Sequence, residues 1–208
     1  ARNIEKSAKD YSGLSEKNIR WMPSKSLKIS MESVWTDLLL ILSVLLFSGN
    51  LIFAEKDKKL FYITRSTKNG RLQSGIAKIV ALFVHCTIIT ILFYGMNLIY
   101  VKITIGFGDL TADIQSVAIY MESNLQISIL EYIIYSVLTK GFVFFATGTV
   151  IMAFCILADR IVLPYVTAFL LYGISYIAYL TIPAVEKWSV FKYINLIGIL
   201  ETQKLYGS

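Results

Sequence analysis

The chain has 208 residues, of which 56% are hydrophobic and only 16% charged, and its mean hydropathy is +0.63. Soluble domains use about 45–50% apolar and about 25% charged residues, so this balance excludes a disordered chain and argues against a soluble globule. A net charge of +6 raises the question of nucleic acid, while two cysteines and one histidine exclude a disulfide framework and any metal site built on two His ligands.

Residues 1–33 are polar and mixed in charge, with Trp21, Met22 and Pro23 interrupting a weak helical pattern. They read as an irregular extracytoplasmic tail of a domain that lies outside this chain. Leu38 to Ala54 is a charge-free run of 17 residues preceded by Trp35, which suits an interfacial belt, so a span is expected over about 35–54. Glu55 to Lys78 then carries Lys56, Lys58, Lys59, Arg65, Lys68, Arg71 and Lys78 against Glu55 and Asp57. Most of the chain's net positive charge therefore sits in one short segment.

Ile79 to Val101 is 23 residues without a formal charge, a second span. Residues 102–127 read as a loop with Asp109, Asp113 and Glu122 against Lys102. Residues 128–158 are mostly apolar but hold Glu131 and Lys140. As one helix they would be about 46 Å long, more than the ~30 Å hydrocarbon core. Either the helix projects outward, or residues 128–139 lie flat and the chain bends near Gly141, and the excess length favours the second. Lys140 is then interfacial. If it lies deeper, it needs a partner on another helix or in water. Ile161 to Ile182 is a further charge-free run with Pro164 in its first turn, a fourth span. Residues 183–208 are too interrupted to span and read as an amphipathic interfacial or re-entrant segment.

The expected fold is thus all-α: a polytopic membrane bundle of about four spans plus interfacial helices. Short cytoplasmic loops are rich in Lys and Arg, which places 55–78 inside, 102–127 and 183–208 outside, and the turn at 159–160 inside. The basic charge then faces anionic lipid head groups rather than nucleic acid, for which the chain has no basic soluble domain.

Nucleotide and catalytic motifs fail on inspection. Gly70 to Gly75 has phosphate-loop spacing but is followed by Ile76 and Ala77 instead of Lys and Ser or Thr. The Gly106-x-Gly108 pair lacks the third glycine of a dinucleotide loop, and Gly173-Ile-Ser175 lacks the closing glycine of a nucleophile elbow. His85 and Cys86 are adjacent and point about 100° apart on a helix, poor geometry for one metal. His85 reads as a packing or hydrogen-bonding residue, or as part of a transport path.

The cationic loop carries the most specific pattern. Phe53-Ala-Glu55 is followed by Lys56-Asp-Lys-Lys-Leu60, Ser66-Thr67-x-x-Gly70-Arg71 and Ala77-Lys78-Ile79. This resembles the first cytoplasmic loop of type-2 ABC exporter permeases, where a Glu ends one helix, an Arg follows about fifteen residues later and a Lys opens the next helix. Glu55, Arg71 and Lys78 fit those places, whereas a glycine common in that family is Lys59 here. Glu122 to Tyr132 also resembles a run in that family. The resemblance implies an exporter subunit of the bacterial plasma membrane, not itself an enzyme and with no cofactor of its own. It would be driven by ATP on a separate ATP-binding-cassette subunit that docks on the 55–78 loop, and two permease units would form one pathway. Helices two to five of six would lie in this chain. Glu55, Lys59, Arg71 and Lys78 would then serve coupling, with His85 and Lys140 candidates for the path. A membrane sensor or binding protein for a peptide or lipid is the alternative.

Overall fold

The computed structural model describes residues 24–57, 70–117, 120, 127–158, 160, 162–168 and 170. These form an all-α bundle: α1 is Ser24–Met31, α2 Val34–Asp57, α3 Gly70–Thr104 and α4 Ile129–Leu157. A short 3-10 turn, Ile114–Ser116, lies between α3 and α4. Three helices among the described residues are long and apolar enough to cross a membrane. The fourth expected span is described only at 162–168, which is helical, and at 170. Residues 1–23, the centre of the cationic loop and the 183–208 segment lie outside the described residues.

The inward face of each long helix is a row of four-residue spacing. Leu40, Val44, Ser48 and Ile52 face inward from α2, and Leu82, Cys86, Thr90 and Tyr94 from α3. Tyr132, Ser136, Lys140, Phe144, Gly148 and Met152 do so from α4. Residues four apart share a helix face, and such ridges are what helices interlock. The three long helices approach closely at Gly148, where a Cβ would stand 2.9 Å from Leu82 and 3.0 Å from Val44. Small residues at such crossings let membrane helices approach. The outward faces are also apolar, with Phe83, Ile88, Ile91, Leu138 and Phe142 exposed. An apolar exterior around a partly polar interior is the arrangement expected where lipid is the solvent.

Element boundaries have local causes. Ser128 and Glu131 form a reciprocal capping box, the side chain of each accepting the other's backbone N–H, and this starts α4. At the end of α3 the N–H groups of Ile105 and Gly106 both reach the Val101 carbonyl, and Gly106 has φ +82°, a conformation that favours glycine. Both ends of α3 outrun the span expected over 79–101. The eight residues before Lys78 are helical, so the cationic segment is shorter as a loop than its charge pattern implied.

Three further differences bear on the site. First, α4 is one uninterrupted helix through Gly141, which is the projecting arrangement and not the flat or bent one. Second, Ser24–Met31 is helical and packs inward through Ser26, Leu27, Ser30 and Met31, so this part of the expected irregular tail is built into the fold. Third, the described part of the 102–127 segment is built into the fold. Ala112, Ile114, Val117 and Tyr120 are buried, and an antiparallel bridge joins Asp113 to Ser128. The Tyr120 and Tyr132 hydroxyls lie 2.5 Å apart within this cap. Ser26 Oγ donates to the Gly106 carbonyl at 3.0 Å, tying α1 to it.

Candidate functional site

Two polar clusters tie the three long helices together, one near each end. Asp37 in the first turn of α2 anchors the first. Lys140 of α4 approaches its carboxylate at 3.3 Å, and Tyr94 of α3 donates its hydroxyl to the same group. Lys140 also donates to the Met31 carbonyl at the end of α1, and its ammonium stands 4.8 Å from the centre of the Tyr94 ring. Asn97 of α3 donates to Thr36 of α2 at 3.0 Å. Helices α1, α2, α3 and α4 therefore meet at Lys140. Its side chain is completely buried, while that of Asp37 keeps 14% exposure. A buried ammonium is tolerated only if its charge is matched and its protons are accepted. A carboxylate, a carbonyl and a ring face supply both conditions here.

The second cluster uses consecutive residues of α2. Glu55 pairs with Lys78 of α3 at 2.5 Å and accepts from Ser74 Oγ at 3.3 Å. Lys56, about 100° further round the helix, turns to α4. Its ammonium donates to the carbonyls of Cys155 at 2.9 Å, Ile156 at 3.1 Å and Ala158 at 2.6 Å. Those carbonyls are among the last of α4, which have no partner within the helix and carry the negative end of its dipole. Three ammonium protons meet three acceptors.

The separation of the clusters is set by helix rise. Asp37 and Glu55 are 18 residues apart, and so are Lys140 and Ala158, which is about 27 Å of helix. Tyr94 and Lys78 are 16 residues apart, or about 24 Å. Both distances approach the ~30 Å thickness of a bilayer's hydrocarbon core.

The residues singled out from sequence divide between these places. Glu55 and Lys78 come together directly. Arg71 lies in the first turn of α3, with its side chain outside the described residues, as is all of Lys59. Lys140 has a partner on another helix, as its burial requires. His85 belongs to neither cluster. Its Nε2 is 3.3 Å from Ser43 Oγ, and its ring stacks on Phe47 at 3.9 Å and 10°, an arrangement that holds α3 against α2. His85 and Lys140 are not in contact: nine residues of α3, about 14 Å of rise, separate His85 from Tyr94.

Asp37, Tyr94 and Lys56 were not singled out from sequence. Asp37 had a signal, because a buried Lys140 requires a carboxylate at its own depth and Asp37 flanks the first apolar run. Lys56 had none, being one lysine among several. Among the described residues no group of three His, Cys, Asp or Glu side chains gathers in a metal-binding arrangement. In comparisons with known proteins, no family model, curated protein or solved structure matches the chain.

Proposed function

We propose that the chain is a membrane permease subunit whose cationic inner segment transmits force from a separate ATP-binding-cassette ATPase. The observation that supports this best is the Glu55–Lys78 pair, which closes the two helices flanking that segment. With Lys56 gripping the end of α4, a push on the 55–78 segment would reach all three long helices at once. Coupling of this kind requires only that nucleotide on the partner favours one arrangement of the bundle over another. In this reading the 55–78 end faces the cytoplasm of a bacterial cell, Lys59 and Arg71 face the ATPase, and export of substrate is the work done. Two permease units would share one pathway.

The test is to purify the chain from its native membrane and look for an ATP-binding-cassette subunit that stays bound and hydrolyses ATP faster when the chain is present. Lys59→Glu and Arg71→Glu should remove both the association and the stimulation. A folded chain that carries no such ATPase contradicts the reading and favours a membrane sensor or binding protein.

A further inference from the structure

At the end of the bundle opposite the cationic segment, an apolar groove of about 320 Å³ opens between α3 and α4. Leu98 of α3, Phe107 and Leu110 of the connection, and Ile133 and Ile134 of α4 line it, and Lys102 stands on its rim. Leu98, Phe107, Leu110 and Ile133 are packed on the core below, so the floor of the groove is built. Lys102 is exposed, and among the described residues no carboxylate pairs with it. Two described acids nearby in sequence are engaged elsewhere: Asp109 accepts from Thr111, and Glu131 is held in the capping box.

The depth of the groove decides its occupant. Leu98 and Lys102 are four and eight residues beyond Tyr94, about 6 and 12 Å outward along α3 from the buried Asp37 cluster. The two clusters are about 24–27 Å apart, so the edge of a ~30 Å hydrocarbon core centred between them falls about 2–3 Å beyond the Asp37 cluster, and the groove rises from just above that edge into the head-group layer, where Lys102 meets phosphate. Exposed Trp35 and Tyr100, about 3 and 9 Å outward of the Asp37 cluster, bracket the head-group edge, as interfacial aromatics do. An apolar slot topped by an unmatched cation at this depth has the chemistry of one amphiphile: a hydrocarbon chain with an anionic head.

We propose that this groove is a binding site for one anionic phospholipid, with the glycerol end of its acyl chains against Leu98, Phe107 and Ile133 and the head-group phosphate on Lys102. The site does not depend on the transport reading, since it needs only the bilayer and this end of the bundle. Binding selects charge through Lys102 and depth through the groove.

The test must be local, because the cationic 55–78 segment also attracts anionic lipid. The chain carrying Phe107→p-benzoylphenylalanine is placed in nanodiscs of equal phosphatidylglycerol and phosphatidylcholine, irradiated, and the lipid adducts are weighed. Phosphatidylglycerol should exceed phosphatidylcholine about fivefold, the contribution expected of one lysine at a charged surface. Lys102→Gln should bring the two to parity, and Lys102→Arg should keep the excess. The same photoreactive residue at Phe142, exposed on α4 well inward of the groove, should show no such preference. Parity in the otherwise unaltered chain overturns the proposal, as does an excess that survives Lys102→Gln. So does the absence of lipid adducts at Phe107 while Phe142 gives them.

Discussion

The two ends of the bundle solve the same problem in opposite ways. At the Asp37 end, a fully buried lysine is matched by a carboxylate, a tyrosine and a carbonyl drawn from three other helices. At the Glu55 end, two half-buried charges on adjacent residues each take one neighbour, and one of them grips the dipole end of α4. The first cluster is held by burial, since its charges have nowhere else to go. The second is held by attraction that water and salt can weaken. A bundle fastened this way is rigid at one end and adjustable at the other, and the adjustable end carries the cationic segment.

The largest effect should come from leaving Lys140 buried without its counter-charge. Asp37→Asn should destabilise the chain by about 3–5 kcal/mol, read from the denaturation midpoint in detergent. Adding Lys140→Met should recover most of that loss, because the uncompensated charge goes with it. Equal damage from the single and the double change would show that the cluster is held by shape alone. Next comes Gly148, between the two ends, where a methyl group must displace Leu82 or Val44. Gly148→Ala should cost about 1–3 kcal/mol and loosen both clusters together. Hydrogen exchange at α1 and at the end of α4 would report this, and protection lost at one end only would contradict a shared crossing.

Smaller effects belong to the adjustable end. Lys56→Met should cost about 0.3–1 kcal/mol, and the loss should shrink as salt is raised, whereas that of Asp37→Asn should not. A salt-independent loss at Lys56 would erase the contrast between the ends. The smallest effect is in the outer cap. Burial and the neighbouring Tyr132 hold the Tyr120 hydroxyl above the usual tyrosine range. The unfolded chain ionises this group near pH 10 while the folded chain keeps its proton, so its contribution is intact below that pH and is lost as pH rises above it. Tyr120→Phe should flatten the fall in stability above pH 10 and should lower stability at neutral pH by about 0.5–1.5 kcal/mol.

Charge-free runs are enough to find the spans, because only their length and lack of charge matter. They do not say which face turns inward. In α3 only 17% of the most apolar window is buried, against 44% in α4, although both are about equally apolar to the eye. Where lipid surrounds a helix, exposed Phe83 and buried Leu82 belong to one hydrophobicity class, so periodicity carries no contrast. The polar exceptions carry it instead: Ser136, Lys140 and Gly148 lie on one four-residue row with Tyr132 and Phe144. Lys140 marks that row only if it is buried, which the length of 128–158 argued against, and the Ser-x-x-Glu spacing at 128–131 is a capping signal that went unread. The excess length of 128–158 pointed the other way, towards a bend, because the cap that covers the projecting turns is built from residues that look like an ordinary acidic loop. Apolar residues are frequent there, and nothing in their spacing marks Ala112, Ile114, Val117 and Tyr120 as the buried ones.

The two polar clusters should sit near opposite faces of a membrane. Single cysteines at Asp57 and Thr111, both exposed, test it in a chain whose Cys86 and Cys155 are replaced by alanine. Labelling with a membrane-impermeant maleimide is compared in intact cells and in inside-out vesicles. The account predicts that Thr111→Cys labels only in cells and Asp57→Cys only in inside-out vesicles. Labelling of both positions from the same side would contradict it.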